Sequence, residues 1–388
     1  MDKTILHLDM NSYFATAEQQ FEPKLRGAPV GVIKGPGRTC VIAASIEAKK
    51  FGVKTGTTTW EATQKCPGII FVPAHMHKYL ELTRKMIKVA QDYSPTVEVF
   101  SIDEVFLDVT DTQTLFSGGV FEIAMTMKWR IKQELGEWMR CSIGVGFNKL
   151  TAKMASEMKK PDGLTFLTRE NYLQATEKIA VGEVCGIGRA YKGWLQERGI
   201  YSLGQARKAS LPVEIESLVW LRGGDELETK NEPAKSVSRT YTTHKTLNSK
   251  YEILKLIRNL VEEVAERLRQ TNVGGRTICL KVDKFWVRKT LTNPTDDPLI
   301  VFNLLKQEYL KNEQVDVRFV GVNISNLIPD SQILIFNKPN KVLEATDKVN
   351  KKFGGFTIYP AALLGTELIR PETCLPAGEV TGFSIVRV

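Results

Sequence analysis

The densest acidic feature of the chain is Ser101-Ile102-Asp103-Glu104, set between Val97-Glu98-Val99-Phe100 and Val105-Phe106-Leu107-Asp108. Adjacent carboxylates in so apolar a segment are costly to bury as charges, and a bound cation is one compensation. A hairpin tip with solvated acids is the other. Neighbouring side chains on a strand face opposite ways, so both acids reach one site only where the backbone turns. Asp9 closes a second alternating stretch, Ile5 to Asp9. Three carboxylates brought together could hold two magnesium ions about 3.5 to 4 Å apart, the arrangement used for in-line displacement at phosphorus.

The elements that must position these acids follow from hydrophobic period and stop signals. Ile5 to Asp9 reads as a strand and Ser12 to Gln20 as a helix with Ser12 as N-cap. Val30 to Ile33 and Cys40 to Ala44 read as short strands, with a helix from Ile46 to Phe51 stopped by Gly52. His75 to Ala90 is helical, Val97 to Val109 forms two strands, and Phe121 to Leu135 is a further helix. Cys141 to Phe147 is a strand, followed by a helix from Lys149 to Met158 that stops at Lys160-Pro161-Asp162-Gly163. Two helical pieces flank Cys185-Gly186-Ile187-Gly188, and Asn231-Glu232-Pro233 reads as a linker. Beyond it come strand (Ser236 to Thr246), helix (Tyr251 to Leu268), strands (Thr277 to Asp283, Phe285 to Leu291), helix (Pro298 to Leu310) and strand (Val317 to Ser325). That is the β-α-β-β-α-β order of a split-βαβ fold.

Composition narrows the class. The 388 residues, 43% hydrophobic and 25% charged, match folded soluble domains and exclude disorder or a fibrous repeat. A net charge of +9 favours a polyanionic partner. Lys230, Lys235, Arg239, Lys245 and Lys250 oppose only Glu232 along one extended stretch, which suits tracking phosphates. In the hairpin that follows, Arg276, Lys281, Lys284, Arg288 and Lys289 surround Phe285 and Trp286, as on a sheet that lies on nucleic acid. The six cysteines form no Cys-x-x-Cys pair, so neither a zinc site nor a disulfide framework is expected. No apolar run approaches the roughly 20 residues of a membrane helix, and no signal peptide is legible; a cytoplasmic protein is expected.

Ile5-Leu6-His7-Leu8-Asp9-Met10-Asn11-Ser12-Tyr13-Phe14-Ala15 and Ser101-Ile102-Asp103-Glu104-Val105-Phe106-Leu107-Asp108 resemble the two catalytic motifs of Y-family translesion DNA polymerases. Val41 to Val53, Asn148 to Ala155 and Lys160 to Gly163 agree in order and spacing, so the resemblance covers about residues 1 to 340. Asp9-Met10-Asn11 looks more like the UmuC/ImpB/MucB/SamB-like branch than a motif with two acids. The resemblance implies an α+β right-hand polymerase: a ferredoxin-like palm (1–26 and 75–166), small fingers (27–74), a helix-hairpin-helix thumb (167–232), a split-βαβ little finger (236–327) and a tail (328–388). It also implies error-prone translesion synthesis, with a place in DNA repair, the SOS response and mutagenesis. Rival readings are a catalytically inactive DNA-binding scaffold and another two-metal phosphotransferase, a cyclase or nuclease, on a palm-like fold.

Carried over residue by residue, the resemblance implies that Asp9, Asp103, Glu104 and the Met10 carbonyl ligate two magnesium ions. Phe14 stands where the family keeps a steric gate against the ribose 2′-hydroxyl, and Lys49, Lys153 and the amides of Tyr13 and Phe14 fall on the triphosphate. Ile46 and Lys49 replace the Tyr and Arg of many members, which removes a hydroxyl donor and a bidentate fork. Gly186 and Gly188 match a phosphate-binding hairpin, and Lys235, Arg239, Arg276, Lys281 and Arg288 are expected on DNA. Gln332, Ile333, Ile335 and Phe336 resemble a peptide that docks on a sliding clamp. Primer-template DNA and deoxynucleotides are the implied substrates, with an UmuD-type accessory protein and RecA as further partners of the branch.

Overall fold

The structure is a computed structural model that describes residues 3–35, 39–223, 226–229, 234–312, 315–329 and 340–365. It comprises two units that divide between Asn231 and Glu232, at the expected linker.

The first unit runs β1 (Ile5–Met10), α1 (Tyr13–Phe21), β2 (Val30–Ile33), β3 (Val41–Ala44), α2 (Ile46–Lys50), α3 (Thr59–Lys65), β4 (Ile70–Pro73), α4 (Met76–Gln91), β5 (Val97–Val99), β6 (Glu104–Asp108), α5 (Gly119–Arg130), β7 (Cys141–Gly146), α6 (Lys149–Met158) and β8 (Leu164–Leu167). Its main sheet has the order β5-β6-β1-β7-β8. Strands β1, β5, β6 and β7, with α4 and α5 as crossovers, give the ferredoxin-like arrangement; β8 adds a parallel edge. As the central strand, β1 is buried at every residue. Leu6, Leu8 and Met10 face the α4 and α5 side chains Tyr79, Met86, Ile123 and Met127. On the opposite face Ile5 packs with Phe106 and with Ala152 of α6. A Leu8→Ala cavity in such a core costs about 2–5 kcal/mol.

Between β1 and α4 the chain builds a small sheet, β3-β2-β4, on a core of Val41, Ala44, Ala48, Val53, Ala62 and Cys66. Ser45 and Thr58 cap α2 and α3 by accepting from Ala48 N and Glu61 N. Gly52, at φ +80°, ends the helix that follows Ser45. After β8 come α7 (Tyr172–Thr176), α8 (Arg189–Gln196), α9 (Leu203–Ala206) and α10 (Val213–Val219), packed on Val181, Val184, Ile187 and Leu195.

The second unit contains β9 (Ser236–Leu247), α11 (Lys250–Gln270), β10 (Val273–Val282), β11 (Phe285–Thr295), α12 (Pro298–Leu310), β12 (Val317–Pro329) and α13 (Lys341–Phe353). The sheet order β11-β10-β12-β9 is antiparallel throughout, so β9 and β10 run parallel with β12 inserted between them, as a split βαβ requires. Ile257, Leu260 and Val264 of α11 close one face over Leu280 and Val322.

Two local expectations need correction. Ser12 adopts the left-handed region (φ 49°) and its side chain caps nothing. The approach to α1 is fixed by Asn11 instead, whose N–H donates to the Arg140 carbonyl (2.9 Å) and whose carbonyl accepts from Thr16 Oγ1 (2.7 Å). Helix α5 ends at Arg130, and Ile131–Leu135 continues as a π turn.

Candidate active site

Antiparallel pairing of β1 with β6 sets Asp9 directly opposite Glu104, so both side chains lie on the α6 face of the sheet. Asp103 precedes the ladder in a bend, and its carbonyl accepts from Met10 N at 3.0 Å. The expected turn is therefore present. It is closed by Ser101, whose hydroxyl donates to Asp103 Oδ1 (2.6 Å) and accepts from Asp103 N (3.3 Å). Residues 95 positions apart thus meet at one sheet end.

Helix α6 and the turn after it bring lysines to these acids. Lys153 Nζ lies 2.5 Å from Glu104 Oε2, and Lys160 Nζ lies 2.8 Å from Asp9 Oδ1. Asn148 starts α6 with a reciprocal capping box to Thr151, and Gly144 and Gly146 of β7 let the helix lie close: a Cβ at either would fall within 2.4 Å of α6 backbone. The turn holding Lys160 is tied to β1 by Asn11, whose Oδ1 accepts from Asp162 N (2.6 Å) while its Nδ2 donates to Ser142 Oγ (3.0 Å). Asn11 is thus a buried tether, and both ends of its amide are used.

The acids are out of ordinary balance. Burial raises the Asp9 carboxyl to about 7 against the pull of Lys160, and raises Asp103 against its bond from Ser101. Burial also opposes ionisation of Glu104, yet His7 and the Lys153 ammonium outweigh it and hold that carboxyl at about 2. His7 is fully buried beneath the site; burial brings it down to about 4, so the ring is neutral, with Nδ1 2.8 Å from Ser156 Oγ and Nε2 3.5 Å from Glu104 Oε2. Lys49, at the end of α2, is held below the usual lysine value by desolvation and then by Lys160, against the attraction of Asp9 and Asp103. Lys49 thus feels the field of Asp9, Asp103 and Lys160, without an ion pair to either acid among the described residues.

A family model described as the impB/mucB/samB family matches residues 8–157, and one for its C-terminal domain matches residues 234–335. The chain belongs to the impB/mucB/samB family. The DNA polymerase IV of Pelotomaculum thermopropionicum is 34% identical, the match covering 93% of this chain and 95% of that protein. DNA polymerase IV 1 of Bacillus subtilis is 30% identical, covering 94% of each. A solved chimera of the Y-family DNA polymerases Dbh and Dpo4 superposes with a TM-score of 0.71 at 23% identity, over 84% of this chain and 99% of that one. The fold is that of a right-hand polymerase.

Other expected residues of this impB/mucB/samB protein divide. The Tyr13 side chain is buried, donating to the Tyr79 carbonyl at 2.5 Å, so only its backbone can face a nucleotide. Gly186 adopts φ +97°, where a side chain would strain, and Gly188 precedes α8. Lys281 and Arg288 are exposed on the outer face of the second sheet with Trp286, which pairs directly with Lys281. Lys235 is exposed just before β9, and Arg276 donates its Nε–H to the Leu291 carbonyl (3.2 Å). Arg239 is the correction: its register partner is the buried Val322, so it points toward α11 and pairs with Glu263 at 2.5 Å, buried rather than open to a phosphate. The shared parity of Val237, Arg239 and Tyr241 is the signal that would have found this. Lys160 has no individual role in the sequence, where Lys160 to Gly163 is a helix stop and a family-like stretch; only the fold brings it to Asp9. Gln332, Ile333, Ile335 and Phe336 lie outside the described residues.

Proposed function

We propose that the protein is a template-directed DNA polymerase that extends primers across damaged template bases by two-metal-ion nucleotidyl transfer. The observation that carries the reading is the register that pairs Asp9 with Glu104 and hangs Asp103 on Met10, beside Lys153 and Lys160, in a chain of this family. Carboxylate oxygens are hard donors suited to magnesium, and burial penalises the negative charge of Asp9 and Asp103 that a divalent cation would compensate. No group of three His, Cys, Asp or Glu side chains is drawn together at ligand separation among the described residues; the acids lean on lysines instead.

Asp9, Asp103, Glu104 and the Met10 carbonyl would hold the two ions, which supply Lewis acidity to the primer 3′-hydroxyl and the departing pyrophosphate. The lysines serve the phosphates, and the first amides of α1, which no preceding carbonyl can satisfy, add donors there. No protein nucleophile is needed. Phe14, half-buried on α1, is the gate against ribonucleotides. Small fingers built of short elements leave the nascent pair loosely covered, which supports lesion tolerance and low fidelity. On the second unit, Lys281, Arg288 and Trp286 hold template backbone without reading sequence. Residues 332–336 are a clamp-docking peptide; stimulation by a sliding clamp that survives their removal rejects that assignment. Among the described residues no helix is long and apolar enough to cross a membrane.

Primer extension in magnesium tests the reading. Templated growth that disappears in Asp103→Ala supports it; primer shortening indicates a nuclease, and DNA binding without either reaction indicates a scaffold.

A further inference from the structure

The Phe14 ring lies flat on Tyr79 of α4, with centroids 4.3 Å apart and planes inclined by 12°. Tyr79 is fully buried and cornered. Its hydroxyl donates to Glu18 Oε1 at 2.5 Å and accepts from His75 N at 3.2 Å. Glu18, 3% exposed, also faces His75 Nδ1 at 3.0 Å through the same oxygen. Burial first, and then the bond to Glu18, hold the Tyr79 hydroxyl protonated, so it always donates. Glu18 lies one turn after Phe14 on α1, so a single helix carries both the ring that meets the sugar and the carboxylate that fixes the ring behind it. The α4 backbone at this point is pinned too, because the Tyr79 carbonyl accepts from Tyr13 Oη (2.5 Å) and from Thr83 Oγ1 (3.0 Å).

A steric gate discriminates only as far as it refuses to yield. A Phe ring with space behind it can tilt away from a 2′-hydroxyl at small cost, whereas a ring stacked on an immobile neighbour must clash. We propose that Tyr79 and Glu18 are positioning residues for sugar selection: Tyr79 backs Phe14 at a fixed depth, and Glu18 fixes Tyr79. This rests on the reading of Phe14 as the gate. Neither residue touches the nucleotide, and His75 completes the clasp from the start of α4.

The test is single-nucleotide incorporation on primer-template DNA, comparing kcat/KM for a deoxynucleotide and its ribonucleotide in the full chain. The variants are Phe14→Ala, Tyr79→Leu, Tyr79→Phe and Glu18→Gln. Phe14→Ala is expected to lose most discrimination. Tyr79→Phe keeps the ring but loses the bond to Glu18, and is expected to raise ribonucleotide use by up to about tenfold, the size of one lost intramolecular hydrogen bond. Its effect should fall on the ribonucleotide KM and leave deoxynucleotide incorporation near wild type. Tyr79→Leu should exceed it and Glu18→Gln should fall below it, because glutamine still offers an acceptor. In Phe14→Ala/Tyr79→Phe the second change should add nothing.

If Phe14→Ala relaxes sugar choice while the Tyr79 and Glu18 variants keep the wild-type ratio, the positioning roles are wrong and the gate stands. Equal losses on both sugars also overturn the proposal, because they mark a merely structural role. If Phe14→Ala itself leaves the ratio unchanged, the gate reading fails and takes this inference with it.

Discussion

At the carboxyl end of β1 the charged side chains are buried and held against one another, whereas on the outer face of the second unit's sheet they stand in solvent. Asp9 and Glu104 are cross-strand partners, each closed by a lysine, and their carboxyls are displaced in opposite directions. Lys281, Trp286 and Arg288 share one open face. Low dielectric makes fixed charges strong, as chemistry at a phosphorus centre requires. Exposed charges are individually weak and adaptable, as sequence-independent grip on a backbone requires.

Substitutions can break or sharpen this contrast. The largest effect is expected from Asp103→Ala, which should lower extension by about a thousandfold or more, the several kcal/mol that metal-held charge supplies, with DNA affinity little changed. A comparable loss of DNA affinity would erase the distinction between the two regions. Arg239→Met comes next: although it sits among the basic residues of the second unit, it takes the cation from the buried Glu263, to which the Asn259 amide still donates (2.9 Å), and should destabilise the fold by about 3–5 kcal/mol in denaturant melts. A soluble, stable variant with weakened DNA binding would return Arg239 to the phosphate-contacting set.

Lys160→Met should cut kcat/KM for the incoming nucleotide by roughly ten- to a hundredfold, the range of one lost charge-assisted hydrogen bond. An unaltered nucleotide KM would confine Lys160 to its partner Asp9. The smallest effects are expected from Lys281→Ala and Arg288→Ala. Each should weaken DNA binding uniformly across sequences and reduce the slope of log affinity against log salt by about one. A change in nucleotide KM from either would contradict the division of labour.

Much of this was legible in sequence because it depends on local chemistry. The bounds of α6 and α12 are those that apolar spacing and stop signals predict, and the Ser101 to Glu104 turn is where adjacent acids demanded a bend. Residues whose meaning depends on a distant partner were not legible. Ser12 has an N-cap's chemistry, but Asn11, bound to Arg140 and Asp162, sets the backbone that follows it. Lys160 punctuates a helix in sequence and reaches Asp9 only through that tether.

The sequence by itself determined most of the elements, though not α3, β4, β8 or α13, together with the linker near Asn231 and the identity of the acids, since period, turn chemistry and residue type are properties of short windows. Only the tertiary structure decided which charges are buried together: Asp9 with Glu104 and Lys160, Arg239 with Glu263, Tyr79 with Glu18. The physical reason is strand register. Shifting a pairing by one residue turns every side chain to the opposite face, and nothing within either strand alone fixes that choice.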